Sequence, residues 1–211
     1  MTPDGSGTID SVTQRPVAAI VLAGGSGRRL GGVDKPALRI GGRTLLDVAL
    51  AAVAGAPTVV VGPVREVPDG VLIVREDPPG GGPAAAVAAG LTGLPNNLPG
   101  DAPVAVLAAD LPAIDGATVG RLCASLTGQA STRDGAVLVD AQGRRQWLIG
   151  VWRLGPLVAA VRRRPDWHGG SLRELLGPLE PEPVAGHEAA TADVDTPEDL
   201  RRLGEVDGDR L

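Results

Sequence analysis

Two groups of residues in this chain have types and spacing suited to phosphate chemistry. The first is the glycine-rich stretch "VLAGGSGRRLGGVDKP" at 21–36, where Arg28, Arg29 and Lys35 stand in a flexible segment that follows an apolar run. Glycines let backbone N–H groups converge on an anion without interference from Cβ atoms, and the three cations supply charge for a polyphosphate. The chain holds 20 basic residues in all, 19 arginines and one lysine, and that lysine is Lys35. A compact ammonium with freely rotating donors suits a changing phosphate geometry better than a planar guanidinium. The second group is "VLAADLP" at 106–112, which places Asp110 directly after an apolar run. A carboxylate there is costly unless paired, hydrated or bound to a cation, and its plainer use is to cap a turn ahead of Pro112.

Three familiar motifs fail on the glycine stretch. A P-loop needs Ser or Thr after its lysine, and Pro36 follows Lys35. A dinucleotide fingerprint is approached by Gly25, Gly27 and Gly31, but Gly31, Gly32 and Pro36 oppose the helix that must start there. A nucleophile elbow needs glycine two places after the serine, where Arg28 stands after Ser26.

The stretch closely resembles the L-A-G-G-x-x-x-R-M-G-x-D-K signature of the nucleotidyltransferases that include molybdenum cofactor guanylyltransferase. The matching residues are Leu22, Ala23, Gly24, Gly25, Arg29, Gly31, Asp34 and Lys35, with one extra glycine and Leu30 in place of Met. "VVVGPVR" at 59–65, "VREDPPGGGPAAAVAAGL" at 74–91, "VLAADLP", "RRQWLIGVWR" at 144–153 and "DVDTPEDL" at 193–200 follow in the same order as in that family.

The resemblance implies a three-layer α/β/α, Rossmann-like nucleotidyltransferase fold and a Mg²⁺-dependent transfer of a nucleoside monophosphate. GTP is the implied donor, molybdopterin the acceptor, and pyrophosphate the leaving product. It implies nucleotide binding by Leu22, Ala23, Gly24, Gly25, Lys35, Asp77 and Asp110, catalytic roles for Lys35, Arg29 and Asp110, and Mg²⁺ ligation by Asp110 with Asp195 as a second ligand. Asp77 reads equally as a turn residue before two prolines, and Asp195 as a helix-dipole partner. Gly62 stands where guanylyltransferases usually carry asparagine, and Asp193 and Asp195 replace a pair of asparagines. These departures keep open a cytidylyltransferase or other small-acceptor transferase, and a catalytically silent nucleotide-binding protein. Gln146 and Trp147 resemble a pair on the acceptor side, while Trp147 and Trp152 can also be core residues of one strand.

The elements that would position these residues are legible in the hydrophobic pattern. Apolar runs at 17–23, 58–61, 71–74, 103–109 and 135–139 are too short for helices and nearly continuous, as expected of strands covered on both faces. Helix-like segments near 44–54, 83–93, 115–127, 155–164, 170–177 and 196–203 alternate with them. That alternation predicts a three-layer α/β fold with a largely parallel sheet. Its ligands would sit at the carboxyl ends of the strands. The last helix has Thr196 as N-cap and Pro197 at its first position. Glycine- and proline-rich loops are expected at 94–103 and 177–190, the second with room for a short strand.

Bulk properties narrow the classes further. The 211 residues, 43% apolar and 21% charged, suit one domain over 16–205, between tails at 1–15 and 206–211. Net charge is −5 and no basic face is apparent, which argues against a nucleic-acid partner. The longest apolar stretch falls far short of the about 20 residues of a membrane span, so no membrane partner is expected. Cys123 is the single cysteine, no zinc spacing occurs, and a reducing cytoplasm fits best. His168 and His187 read as solvated loop histidines, and "VRRRP" at 161–165 as the charged end of a helix.

Overall fold

The computed structural model of the protein describes residues 15–24, 35–64, 66–127 and 131–186. Its strands are β1 (Ala18–Leu22), β2 (Arg39–Ile40), β3 (Arg43–Thr44), β4 (Thr58–Val61), β5 (Val71–Val74), β6 (Pro103–Ala108), β7 (Gly135–Val139), β8 (Arg145–Arg153) and β9 (Glu182–Ala185). The α-helices are α1 (Leu45–Ala52), α2 (Pro83–Thr92), α3 (Gly116–Thr127), α4 (Leu154–Val161) and α5 (Leu172–Leu176). Strands β2 and β3 form a small hairpin, and the other seven make one sheet in the order β5-β4-β1-β6-β8-β7-β9. Neighbours from β5 to β6 run parallel, β8 is antiparallel to both β6 and β7, and β9 is parallel to β7. The three-layer, mostly parallel arrangement expected from the sequence is therefore present.

Strand β1 shows why the sheet is covered on both sides. All five of its residues are buried. Ala19 and Val21 point into one core with Leu46, Leu107, Leu122 and Leu126. Ala18, Ile20 and Leu22 point into the other with Val87, Trp152, Leu157 and Leu176. Alternation by two along a strand puts α1 and α3 on one face and α2, α4 and α5 on the opposite one. Cys123 belongs to the first core, where burial pushes its thiol up to about 11, as befits a small packing residue.

Two elements depart from the sequence reading. Strand β8 spans nine residues that the hydrophobic pattern did not mark, because Arg145, Gln146 and Gly150 interrupt its apolar run. Its register slips beside β7 between Val137 and Leu138, and this bulge blurs any alternation that could have announced it. The hairpin of β2 and β3 is two residues per strand, below what periodicity can reveal. Trp152 on β8 is fully buried, stacks on half-buried Trp147 at 6.5 Å between ring centroids, and faces Gly135 across the ladder. The core reading of the tryptophans thus accounts for both. The expected helix at 196–203 lies outside the described residues.

Local chemistry sets the helix starts nearest the site. Thr44 caps α1 by accepting from the Asp47 N–H at 3.0 Å, and Asp47 accepts from the Thr44 N–H at 3.1 Å. Helix α2 begins differently. Gly82, at φ +89°, is its N-cap with no side-chain bond, and Pro83 is the first helical residue. Its first-turn N–H groups are left to other partners.

Candidate active site

The carboxyl ends of the parallel strands open on a cleft of about 650 Å³. Its floor is Leu22 at the end of β1 with Gly24 just past it, and Ala108 at the end of β6 with Asp110 just past it, and Gly80 and Gly82 bring the start of α2 to its wall. Backbone bonds continue the ladder past the strands and hold these ends in step. The Ala109 N–H donates to the Leu22 carbonyl at 2.9 Å, the Ala23 N–H to the Val61 carbonyl at 2.8 Å, and the Gly62 N–H to the Val74 carbonyl at 3.1 Å. The first of these fixes the residue before Asp110 to the last residue of β1, so the two motifs singled out in the sequence meet by main-chain geometry.

Lys35 opens a short 3₁₀ turn (Lys35–Ala37) that re-enters the fold ahead of the hairpin. Its Nζ lies 3.9 Å from Asp110 Oδ2, an ion pair too long to be a tight hydrogen bond. The lysine side chain is 14% exposed and the aspartate 30%, so both are partly shielded from water yet open to a ligand. Residues 75 apart in sequence are thereby placed at one mouth. Among the described residues no group of three His, Cys, Asp or Glu could hold a metal by itself. Asp110 offers a single carboxylate, a hard oxygen donor of the kind Mg²⁺ takes one or two of while substrate phosphates and water complete its shell.

Gly62 has a structural reason to be glycine. Its φ is +149°, and a Cβ would lie 2.7 Å from the Ala23 carbonyl carbon and 2.9 Å from the Gly24 nitrogen. An asparagine at this position would collide with the backbone that starts the glycine stretch.

The other expected site residues fall as follows. Leu22 and Ala23 are buried and Gly24 is exposed at the cleft, whereas Gly25, Arg29 and Asp195 lie outside the described residues. Asp77, joined to Pro78 by a cis peptide, is exposed and is not part of the cleft wall, whereas its neighbour Glu76 is. Gln146 donates to Asp140 Oδ2 at 3.1 Å in the β7–β8 turn, and the cleft receives Leu148 from β8 instead. His168 is exposed, with its backbone N–H on Asp166, and His187 lies outside the described residues. The arginine run after α4 is structural, since Arg163 donates to the Leu175 carbonyl and Arg164 lies 4.7 Å over the Trp167 ring.

Sequence reasoning missed Glu76, Arg75 and the opening of α2 as cleft residues. The run Gly80-Gly81-Gly82-Pro83 carried the signal for the last, because glycines followed by proline mark a helix start with no side-chain cap.

Residues 19–183 match the model of the MobA-like NTP transferase domain. The chain belongs to this family. Relatives that bear the name molybdenum cofactor guanylyltransferase include the following two. The protein of Acidiphilium cryptum (strain JF-5) is 44% identical over 79 residues, 35% of this chain and 40% of that protein. The protein of Bradyrhizobium sp. (strain ORS 278) is 33% identical over 148 residues, 67% of this chain and 68% of that protein. The first match thus spans less than half of its relative's length. Among solved structures, molybdopterin-guanine dinucleotide biosynthesis protein A from Archaeoglobus fulgidus superposes with a TM-score of 0.63 at 20% identity, covering 88% of this chain and 96% of that one, which establishes a shared fold. In this MobA-like chain the cleft lies at the carboxyl ends of the strands, where open α/β sheets receive their ligands. No described helix is long and apolar enough to cross a membrane.

Proposed function

We propose that this MobA-like chain is a cytoplasmic nucleotidyltransferase that moves GMP from GTP to a phosphate-bearing acceptor, molybdopterin foremost, and releases pyrophosphate. Family membership and the names of the relatives support the reaction class. The observation that carries the reading is Lys35 beside Asp110 at the mouth of a nucleotide-sized cleft. An oxygen of the acceptor phosphate forms a bond to the α-phosphorus as the bond from that phosphorus to the bridging oxygen breaks, and the electron pair leaves with pyrophosphate. An acceptor phosphate is already ionised near neutral pH, so the protein need supply no general base.

The remaining work is positioning and charge. Leu22, Ala23, Gly24 and Gly25 would line the nucleotide, with the Ala23 N–H already on the Val61 carbonyl, Lys35 and Arg29 would neutralise phosphate oxygens, and the start of α2 would turn the positive end of its dipole toward them. Asp110 would hold Mg²⁺, with Asp195 as its second ligand. The ion, when bound, supplies compensating charge to the phosphate oxygens.

A cytidylyl reading draws on Gly62, whose place cannot take an asparagine side chain. Purified protein incubated with Mg²⁺, molybdopterin and each of GTP, CTP, ATP and UTP decides between them. Pyrophosphate release with GTP is expected. Release with CTP alone would shift the assignment to the cytidylyl reading, and release with none would remove the transferase reading for this acceptor.

A further inference from the structure

Strand β5 forms one edge of the sheet and β9 the other. An open edge invites pairing with another chain unless proline, charge or a bulge blunts it. On β9, Glu182 and Pro183 supply that protection. Strand β5 reads Val71-Leu72-Ile73-Val74, with no charge, proline or bulge. Three large apolar side chains are exposed among the described residues, and two of them, Leu72 at 49% and Ile73 at 36%, adjoin on this strand. Leu72 and Val74 reach toward Gly93 at the end of α2, and alternation turns Ile73 to the opposite face.

The backbone of this edge is open as well. The Val74 carbonyl accepts from the Gly62 N–H, so Val74 and, two places back, Leu72 turn their polar groups toward β4. Ile73, out of step with them, turns its N–H and carbonyl to the free side. Among the described residues β4 is the one strand paired with β5.

The charges nearest the strand say what fits there. Asp69, in the turn ahead of β5, stands three residues before Leu72, and Arg75 stands three after it, both exposed. In an antiparallel pair of identical strands, centring on Leu72 sets Asp69 of each copy against Arg75 of the other, twice by the two-fold axis. The same register sets Val71 against Ile73. Centring on Ile73 would set Asp69 against Asp77, and centring on Val71 would set it against Ile73. Of the three, the first alone joins acid to base and apolar to apolar.

We propose that β5 is a self-association edge, along which two copies of this chain pair antiparallel, centred on Leu72, to make one continuous sheet. A four-residue strand pair falls well short of the about 1,200 Å² that stable dimers bury, so the dimer forms at high concentration and dissociates on dilution. The interface adjoins the cleft, whose wall includes Arg75, and it does not depend on the transferase reading.

Two measurements on the full chain test this. Leu72→Cys and Ile73→Cys are each incubated with oxidised glutathione, and covalent dimer is read on a non-reducing gel. A residue facing its own copy in a non-hydrogen-bonded pair has Cα atoms about 4.5 Å apart, within disulfide reach, whereas Ile73 faces Val71 and lies beyond the about 7 Å limit from its own copy. Leu72→Cys is expected to give about tenfold more dimer than Ile73→Cys, and the wild type none, since Cys123 is buried. Sedimentation equilibrium then compares the wild type with Asp69→Arg, Arg75→Asp and the double variant. Each single reversal makes two like-charge pairs and is expected to weaken dimerisation about tenfold, and the double variant to restore it. Recovery in the double variant cannot come from a damaged fold. Equal trapping by both cysteine variants, or none by Leu72→Cys, would overturn the proposal. So would a wild type that stays monomeric up to millimolar concentration, or a double variant no better than the singles.

Discussion

Lys35 Nζ and Asp110 Oδ2 stand 3.9 Å apart across the mouth of the cleft, one after a glycine-rich stretch and the other after a buried strand. In the proposed transfer the pair would offer a metal-bound triphosphate both charges it needs, a cation for its phosphates and a carboxylate for its ion.

Replacing Asp110 by Asn keeps the shape and removes the charge. Pyrophosphate release is expected to fall about a hundredfold or more, and the Mg²⁺ concentration for half-maximal rate to rise. Thermal unfolding of the variant should match the wild type, because Asp110 is partly exposed at a strand end.

Gly62→Asn tests the close approach of β4's end to the glycine stretch. The substitution forces an L side chain into φ +149° and against the Ala23 carbonyl, and a loss of about 1–3 kcal/mol in denaturant unfolding is expected. Nucleotide affinity should fall with it, because relief requires Ala23 and Gly24 to shift.

Gly135→Ala places a methyl against the Trp152 ring in a core with no spare room. Overpacking of this kind costs about 1–3 kcal/mol, and the near-ultraviolet tryptophan signal is expected to change with it.

Acid should loosen the β7–β8 turn. The Arg144 backbone N–H, then the Arg144 guanidinium and the Gln142 N–H, hold the Asp140 carboxyl below its ordinary value of 3.8. The Ser171 N–H, then its hydroxyl and Arg164, do the same for Glu174 at the start of α5. A depressed carboxyl contributes stability that is present above the unfolded value and is lost as pH falls through the lower folded value. Urea midpoints measured above and below that range should therefore drop on acidification, and Asp140→Asn should show a smaller drop than the wild type.

The strands were legible where both faces are buried, as in β1, β4 and β6, because a continuous apolar run has few other uses. Strand β8 was not, since Arg145 and Gln146 lie beyond the end of β6 and a bulge breaks its alternation. Lys35 and Asp110 could be singled out by type and by position after strands. Choosing between Glu76 and Asp77 could not be done that way. They are adjacent acids on one segment, and the direction of the chain after β5 puts the first against the cleft and the second in solvent.

The central claim is that the ammonium of Lys35 bears on the phosphates of a bound triphosphate. Its most direct test is the rate of pyrophosphate release by Lys35→Ala at saturating GTP, Mg²⁺ and molybdopterin. A loss of about a hundredfold or more with an unchanged melting temperature is predicted. A rate within a few-fold of the wild type would contradict it.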